Sequence, residues 1–156
     1  MTTHHITRLH ITTLFVLDQD EAVAFYRDRL GFEVCDDIDL GFMRWLTIAH
    51  PSDLEHRLLV SLPGGPMADA ETAATMRGLL TQGALGGLFL QSDDVHATYD
   101  ALVAVGVEIT QEPVEQPYGT DIGIRDPFGN HVRISEPVTA TAEEIQERYA
   151  GTPSGA

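Results

Sequence analysis

The sequence predicts an α+β protein built from two tandem βαβββ modules. Three observations predict it. β-rich runs lead into an aspartate, apolar residues then recur at helical spacing and close on a glycine, and the pattern returns 75 positions later (Asp18 to Asp93, Gly31 to Gly106). A duplicated strand-helix-strand unit explains that recurrence better than chance does.

Residues 11–17 (ITTLFVL) are β-branched and apolar and read as a strand. Asp18 offers a carboxylate N-cap with Glu21 three residues on, and Ala22, Val23, Phe25, Tyr26 and Leu30 then follow at near-helical spacing. Gly31 closes this helix, because glycine takes the left-handed conformation cheaply. Residues 32–35 are extended again. The second copy runs through residues 87–92, caps at Asp93-Asp94, places Val95, Ala97, Tyr99, Leu102 and Val105 on a helix, closes at Gly106 and exits along residues 107–110.

Antiparallel strands are expected to follow each copy, at residues 42–49 and 57–62 in the first and at 120–125 and 131–135 in the second. Asp126-Pro-Phe-Gly-Asn130 between the last two is a strong turn signal. The modules are therefore residues 6–62 and 85–136, joined by a linker at 63–84 in which residues 69–80 could form a short helix. Thr141-Ala-Glu-Glu144 is a capping box, so residues 142–149 are expected to be helical, and residues 151–156 to be disordered.

Composition bounds the function. The 156 residues are 43% hydrophobic, enough for a core without disulfides, and carry a formal net charge of -15 from 9 Lys+Arg against 24 Asp+Glu. Such a balance repels phosphate backbones and anionic lipid, and the basic residues form no stripe, so nucleic-acid and membrane partners are excluded. No run of about 20 apolar residues exists and the start lacks the features of a secretory signal, so a cytoplasmic protein is expected. Cys35, the single cysteine, sits among Glu33, Asp36 and Asp37, which hold a thiol protonated, and reads as a half-buried small residue.

Phe25-Tyr26-Arg-Asp-Arg-Leu-Gly-Phe32 and Arg125-Asp-Pro-Phe-Gly-Asn130, with the repeat, resemble the vicinal oxygen chelate superfamily. That group includes glyoxalase I, bleomycin-resistance proteins, extradiol dioxygenases and fosfomycin-resistance enzymes. The similarity covers residues 6–136. It implies strands curled into an open cup with helices outside and ligand inside, commonly in a homodimer. In metal-using members it also implies four strand positions that supply metal ligands. Counted from the caps and turns, these fall here on Ile11, Ser61, Gly87 and Arg133. Isoleucine and glycine cannot coordinate, a serine hydroxyl is a poor sole donor and a guanidinium repels a cation. No metal and no other cofactor is therefore expected. A displaced site from His10, His56 and His131 would require a one-residue slip of the first strand, turning its apolar set outward.

Strand side chains alternate faces, so the four positions also index the inward face. His131 and Ser135 join Arg133, with Val132 and Ile134 opposite. Thr13 and Phe15 join Ile11; Arg57 and Leu59 join Ser61; Phe89 and Gln91 join Gly87. Asp121 is expected to face inward on its strand, with Arg125 as a further candidate on the same face, and Trp45 competes with Arg44 on theirs. The expected ligand-binding set is Arg133, His131, Arg57, Gln91, Asp121, Phe15, Phe89, Trp45 and Tyr118, the last on a turn near the mouth. Apolar walls with a few convergent polar groups suit a small organic molecule. Arg133 would clamp an anionic group of that ligand or pair with Asp121. The expected function is metal-independent small-molecule binding of the bleomycin-resistance type. The alternative is an enzyme on the same fold, with His131 and Arg133 in metal-free acid/base chemistry or with a relocated metal site.

Overall fold

A computed structural model describes residues 4–151. The element order is β1 (Ile11–Phe15), α1 (Gln19–Asp28), β2 (Glu33–Asp39), β3 (Arg44–Ala49), β4 (Arg57–Ser61), α2 (Ala70–Thr81), β5 (Gly87–Gln91), α3 (Val95–Ala104), β6 (Glu108–Gln116), β7 (Gly119–Arg125), β8 (His131–Ser135) and α4 (Ala142–Ala150). The chain is α+β and divides after Leu85 into two compact units. Each holds one open four-stranded mixed sheet, ordered β1-β4-β3-β2 in the first and β5-β8-β7-β6 in the second. Both are βαβββ modules.

Parallel pairing of β1 with β4 and of β5 with β8 joins the ends of each module, and antiparallel hairpins supply the rest. The alternation read from sequence sets the core. Leu14, Val16, Leu46, Ile48, Leu58 and Val60 are buried in the first unit, and Ile122, Ile124, Val132 and Ile134 in the second. Buried Ala22 and Tyr26 on α1 and Val95 and Leu102 on α3 cover those faces. Burying each aliphatic chain stabilises by about 1.5–3 kcal/mol relative to leaving it exposed. The residues Phe25, Tyr26 and Phe32 form a stack of edge-on rings, with centroids 5.1 and 5.7 Å apart. The first of the two family-like motifs is therefore a packing motif.

The Asp18 Oδ1 cap on Glu21 N is present at 2.8 Å. In the second unit the cap is Asp94, not Asp93: its Oδ1 accepts from Ala97 N at 2.9 Å. The caps are thus 76 positions apart and the closing glycines 75. The hydrogen bonds explain the difference. Gly106 N donates to Val103 O and Val107 N to Leu102 O, whereas Gly31 N reaches back to Arg27 O and Phe32 N to Tyr26 O, each one residue further. Gly31 and Gly106 have φ of 78° and 76°, the left-handed region the closing positions require.

Other boundaries move. The exit strand expected at 107–110 continues to Gln116, accommodating Pro113 through register shifts between Ile109 and Gln111 and between Gln111 and Val114. Phe42 precedes β3 and is exposed. The linker helix is α2, capped by Asp69 and burying Ala73 and Leu80 within the first unit. The capping box of Thr141 and Glu144 starts α4, and Arg148 Nη1 ties that helix to Pro117 O at 2.8 Å. Gly151 caps α4, and the remainder of the tail expected to be disordered, residues 152–156, lies outside the described residues. Among the described residues no helix is long and apolar enough to cross a membrane.

Candidate functional site

On the second sheet, the face turned away from α3 is a grid fixed by strand register. One row holds Gly87, His131, Arg125 and Glu108; the next holds Phe89, Arg133, Gly123 and Gln111; the third holds Gln91, Ser135, Asp121 and Val114. His131, Arg133, Gln91, Phe89 and Asp121 thus share a face, as their parity predicts, and Arg125 joins them.

Asp121 is the centre of this face. It is 1% exposed. Its Oδ2 accepts from Arg133 Nε at 3.0 Å and from the Tyr118 hydroxyl at 2.6 Å, and its Oδ1 accepts from Gln111 Nε2 at 2.9 Å. Arg133 Nη2 also pairs with Oδ2 and donates to Gln111 Oε1 at 3.0 Å. Burial works to raise the Asp121 pKa, but the hydrogen bonds from Tyr118, Arg133 and Gln111 with the Arg133 charge outweigh it, and the carboxyl stays below its ordinary value. Burial, then the bond to Asp121, pushes the Tyr118 phenol up. The bond to Asp121 raises Arg133. Of the two roles expected for Arg133, pairing with Asp121 is the one present. Tyr118 is drawn from the β6–β7 turn onto the same carboxylate.

Gln111 escaped the sequence reading. The register shifts of β6 turn it inward, and parity counted along an unbulged strand cannot place it. Arg125 lies beside His131, its Nη2 3.3 Å from His131 Nε2. A guanidinium only donates, so Nε2 accepts and the neutral ring carries its proton on Nδ1. Arg125 Nε is buried without a hydrogen-bond partner.

The first sheet carries a second charged pair on the corresponding face. Arg57 Nη1 donates to Asp36 Oδ2 at 2.8 Å, and the Thr47 hydroxyl donates to the same oxygen at 2.6 Å. The Thr47 bond, opposed by desolvation and helped by Arg57, lowers the Asp36 pKa. Trp45 shares the face of Thr47 by parity, whereas Arg44 turns to Asp20 on α1 and to Asp37. That settles the competition for the inward face in favour of Trp45. Phe15 on β1 is half-buried, and Phe89 on β5 is 87% exposed.

The glyoxalase/bleomycin resistance protein/dioxygenase superfamily model matches residues 4–134. The chain belongs to that superfamily. YurT of Bacillus subtilis (strain 168), itself uncharacterized, is 30% identical over 127 residues, covering 81% of this chain and 97% of YurT. Among solved structures, UcmS2 is 40% identical with a TM-score of 0.78, over 84% of this chain and 98% of its own. TnmS3, an antibiotic binding protein from Streptomyces sp. CB03234, is 27% identical with a TM-score of 0.69, over 86% and 99%.

The metal of metal-using superfamily members does not fit the residues present. Ile11, Ser61, Gly87 and Arg133 lie on β1, β4, β5 and β8, and Arg133 is held by Asp121. At Gly87 a Cβ would overlap the carbonyl oxygen of His131, so the local backbone excludes any side chain there. With the cap corrected to Asp94, Gly87 stands seven residues before it, the same spacing as Ile11 before Asp18. β1 pairs Ile11 with Arg57 and buries Leu14, with Val16 buried just beyond its end, so the slip that would bring His10 into a displaced site has not occurred. Among the described residues no three His, Cys, Asp or Glu side chains come together to hold a metal ion.

Proposed function

We propose that the protein binds a small organic molecule without a metal, against the helix-free face of its sheets. The observation that carries this reading is the Asp121 cluster. At a position where metal-using relatives place a ligand, this chain places Arg133 and locks it to a buried carboxylate with two further donors. The second unit's face then offers Phe89 as apolar surface and Gln91, His131 and Arg125 as polar groups. The first unit's face offers Phe15, Trp45 and Arg57. TnmS3, with which the chain shares its fold, is an antibiotic binding protein, and an aromatic natural product is the corresponding ligand class here.

Acid/base catalysis by His131 has less support, because the Nε2 lone pair a general base would use already accepts from Arg125. The family resemblance supports a homodimer, and composition supports a cytoplasmic location.

The test is saturation against turnover. Untagged protein is loaded with zinc, nickel, manganese or iron, desalted, and screened by calorimetry against a library of aromatic natural products, with each mixture followed by mass spectrometry. Metal-independent binding at one site per chain with the compound recovered unchanged is the expected result. Stoichiometric metal retention, or conversion of a bound compound, overturns the reading.

A further inference from the structure

We infer that Arg125 with His131 forms an oxyanion-recognition point on the second sheet, and that the ligand carries an organic acid group. The inference deepens the small-molecule reading and rests on it. Its origin is a charge inventory. In a chain of net charge -15, Arg133 pairs with Asp121, Arg57 with Asp36, Arg44 with Asp20 and Asp37, Arg8 with Glu55 and Arg27 with Asp28. Arg125 pairs with no carboxylate among the described residues, although Glu108 stands opposite it in register. Arg29 and Arg77 also lack such a pair, but both are exposed to water, and the exposed Arg148 donates to the Pro117 carbonyl. Arg125 is half-buried, so its charge has only part of the solvation of a surface arginine and none of the carboxylate compensation of an inner one.

The donors available follow from the contacts. Nε is closed off, and Nη2 is engaged by His131 Nε2. Nη1 makes no protein hydrogen bond and is not among the buried unpartnered atoms, so it meets solvent. The same holds for His131 Nδ1, which carries the ring proton while Nε2 accepts from Arg125. The pair therefore presents one charged donor and one neutral donor on adjacent strands, beside a glycine and one row from Phe89. A planar carboxylate, or the ionised hydroxyl of an aromatic ring, matches that combination. Arg133, with its charge already matched by Asp121, does not supply this recognition.

The experiment titrates matched aromatic acids and amides by calorimetry: benzoate and benzamide, 2-naphthoate and 2-naphthamide, anthracene-2-carboxylate and anthracene-2-carboxamide. The native protein is expected to bind an acid about tenfold or more tighter than its amide, the scale of one charge-assisted hydrogen bond. Arg125→Gln should bring the two within about twofold, with an unchanged far-UV circular dichroism spectrum and thermal melt showing that the variant is folded. His131→Phe keeps the guanidinium and should narrow the preference about threefold. Equal affinity of acid and amide in the native protein overturns the inference and leaves the small-molecule reading standing. A preference that survives in Arg125→Gln overturns it too. No binding by any pair counts against both.

Discussion

Removal of the Asp121 charge is the sharpest probe of the cluster. In Asp121→Asn the Arg133 guanidinium keeps its place and loses its counter-ion. Breaking a buried pair from one side costs about 3–5 kcal/mol. Arg133's side chain is 33% exposed, so water recovers part of that, and about 3 kcal/mol is expected. For a chain of this size that lowers Tm by about 6–12 °C. Arg133→Met should cost less, about 2 kcal/mol, because Tyr118 and Gln111 still donate to the carboxylate. The double variant Asp121→Leu with Arg133→Met removes both charges and strands the Tyr118 hydroxyl and the Gln111 amide, about 1–2 kcal/mol each. Its cost should fall short of the summed single costs by about 1 kcal/mol or more. Urea unfolding followed by far-UV circular dichroism is the assay. The only tryptophan, Trp45, lies in the other unit, so its fluorescence would report the wrong sheet. A loss under about 1 kcal/mol for Asp121→Asn, or additive single and double costs, would refute the argument.

Three further outcomes are expected. Because Asp121 titrates below its ordinary value in the fold, its contribution is present above the unfolded pKa of about 3.9 and is lost as pH falls through the folded value. The Tm gap between native protein and Asp121→Asn should hold from pH 8 to 5 and shrink below about pH 4; a gap that widens in acid contradicts this. Asp94→Ala should cost about 1 kcal/mol as the loss of a helix cap, and Asp93→Ala less than about 0.5, and thermal melts that reverse the order would restore the cap to Asp93. Gly87→His, which writes a family ligand back into the strand, should destabilise by about 2 kcal/mol through its clash with the His131 carbonyl and bind no zinc by elemental analysis.

Much of the fold was legible because it rests on local rules. The alternation of His131, Val132, Arg133, Ile134 and Ser135 assigns both faces of β8 with no knowledge of its neighbours, and Asp18 and Gly31 punctuate α1 through their own chemistry. The errors arose where one residue is gained or lost. Two consecutive aspartates offered equal caps for α3, and the extra residue at the end of α1 made the wrong one fit the repeat. Bulges along β6 carried Gln111 to the inner face, which period-two counting cannot follow. The Asp121 cluster was half legible: Arg133 and Asp121 could be paired from parity, whereas the Tyr118 and Gln111 contacts depend on a turn and a bulge. Arg125 was ambiguous because it ends its strand, and its lack of a carboxylate partner is a property of three-dimensional neighbours alone.

The Asp126–Asn130 turn links β7 and β8 directly between Arg125 and His131. Asp126 is buried, and its Oδ1 accepts from the backbone N–H groups of Phe128, Gly129 and Asn130 at 3.0, 3.0 and 2.8 Å, while Asn130 Nδ2 donates to Oδ2 at 2.7 Å. A carboxylate folded into its own loop in this way leaves the two flanking strand ends little freedom. Side chains mounted on either side of such a clamp have already lost the backbone entropy that binding would otherwise demand of them. The pair at positions 125 and 131 can therefore be exchanged for other chemistries without rebuilding the turn that presents them, which makes this hairpin a fixed socket for changeable specificity.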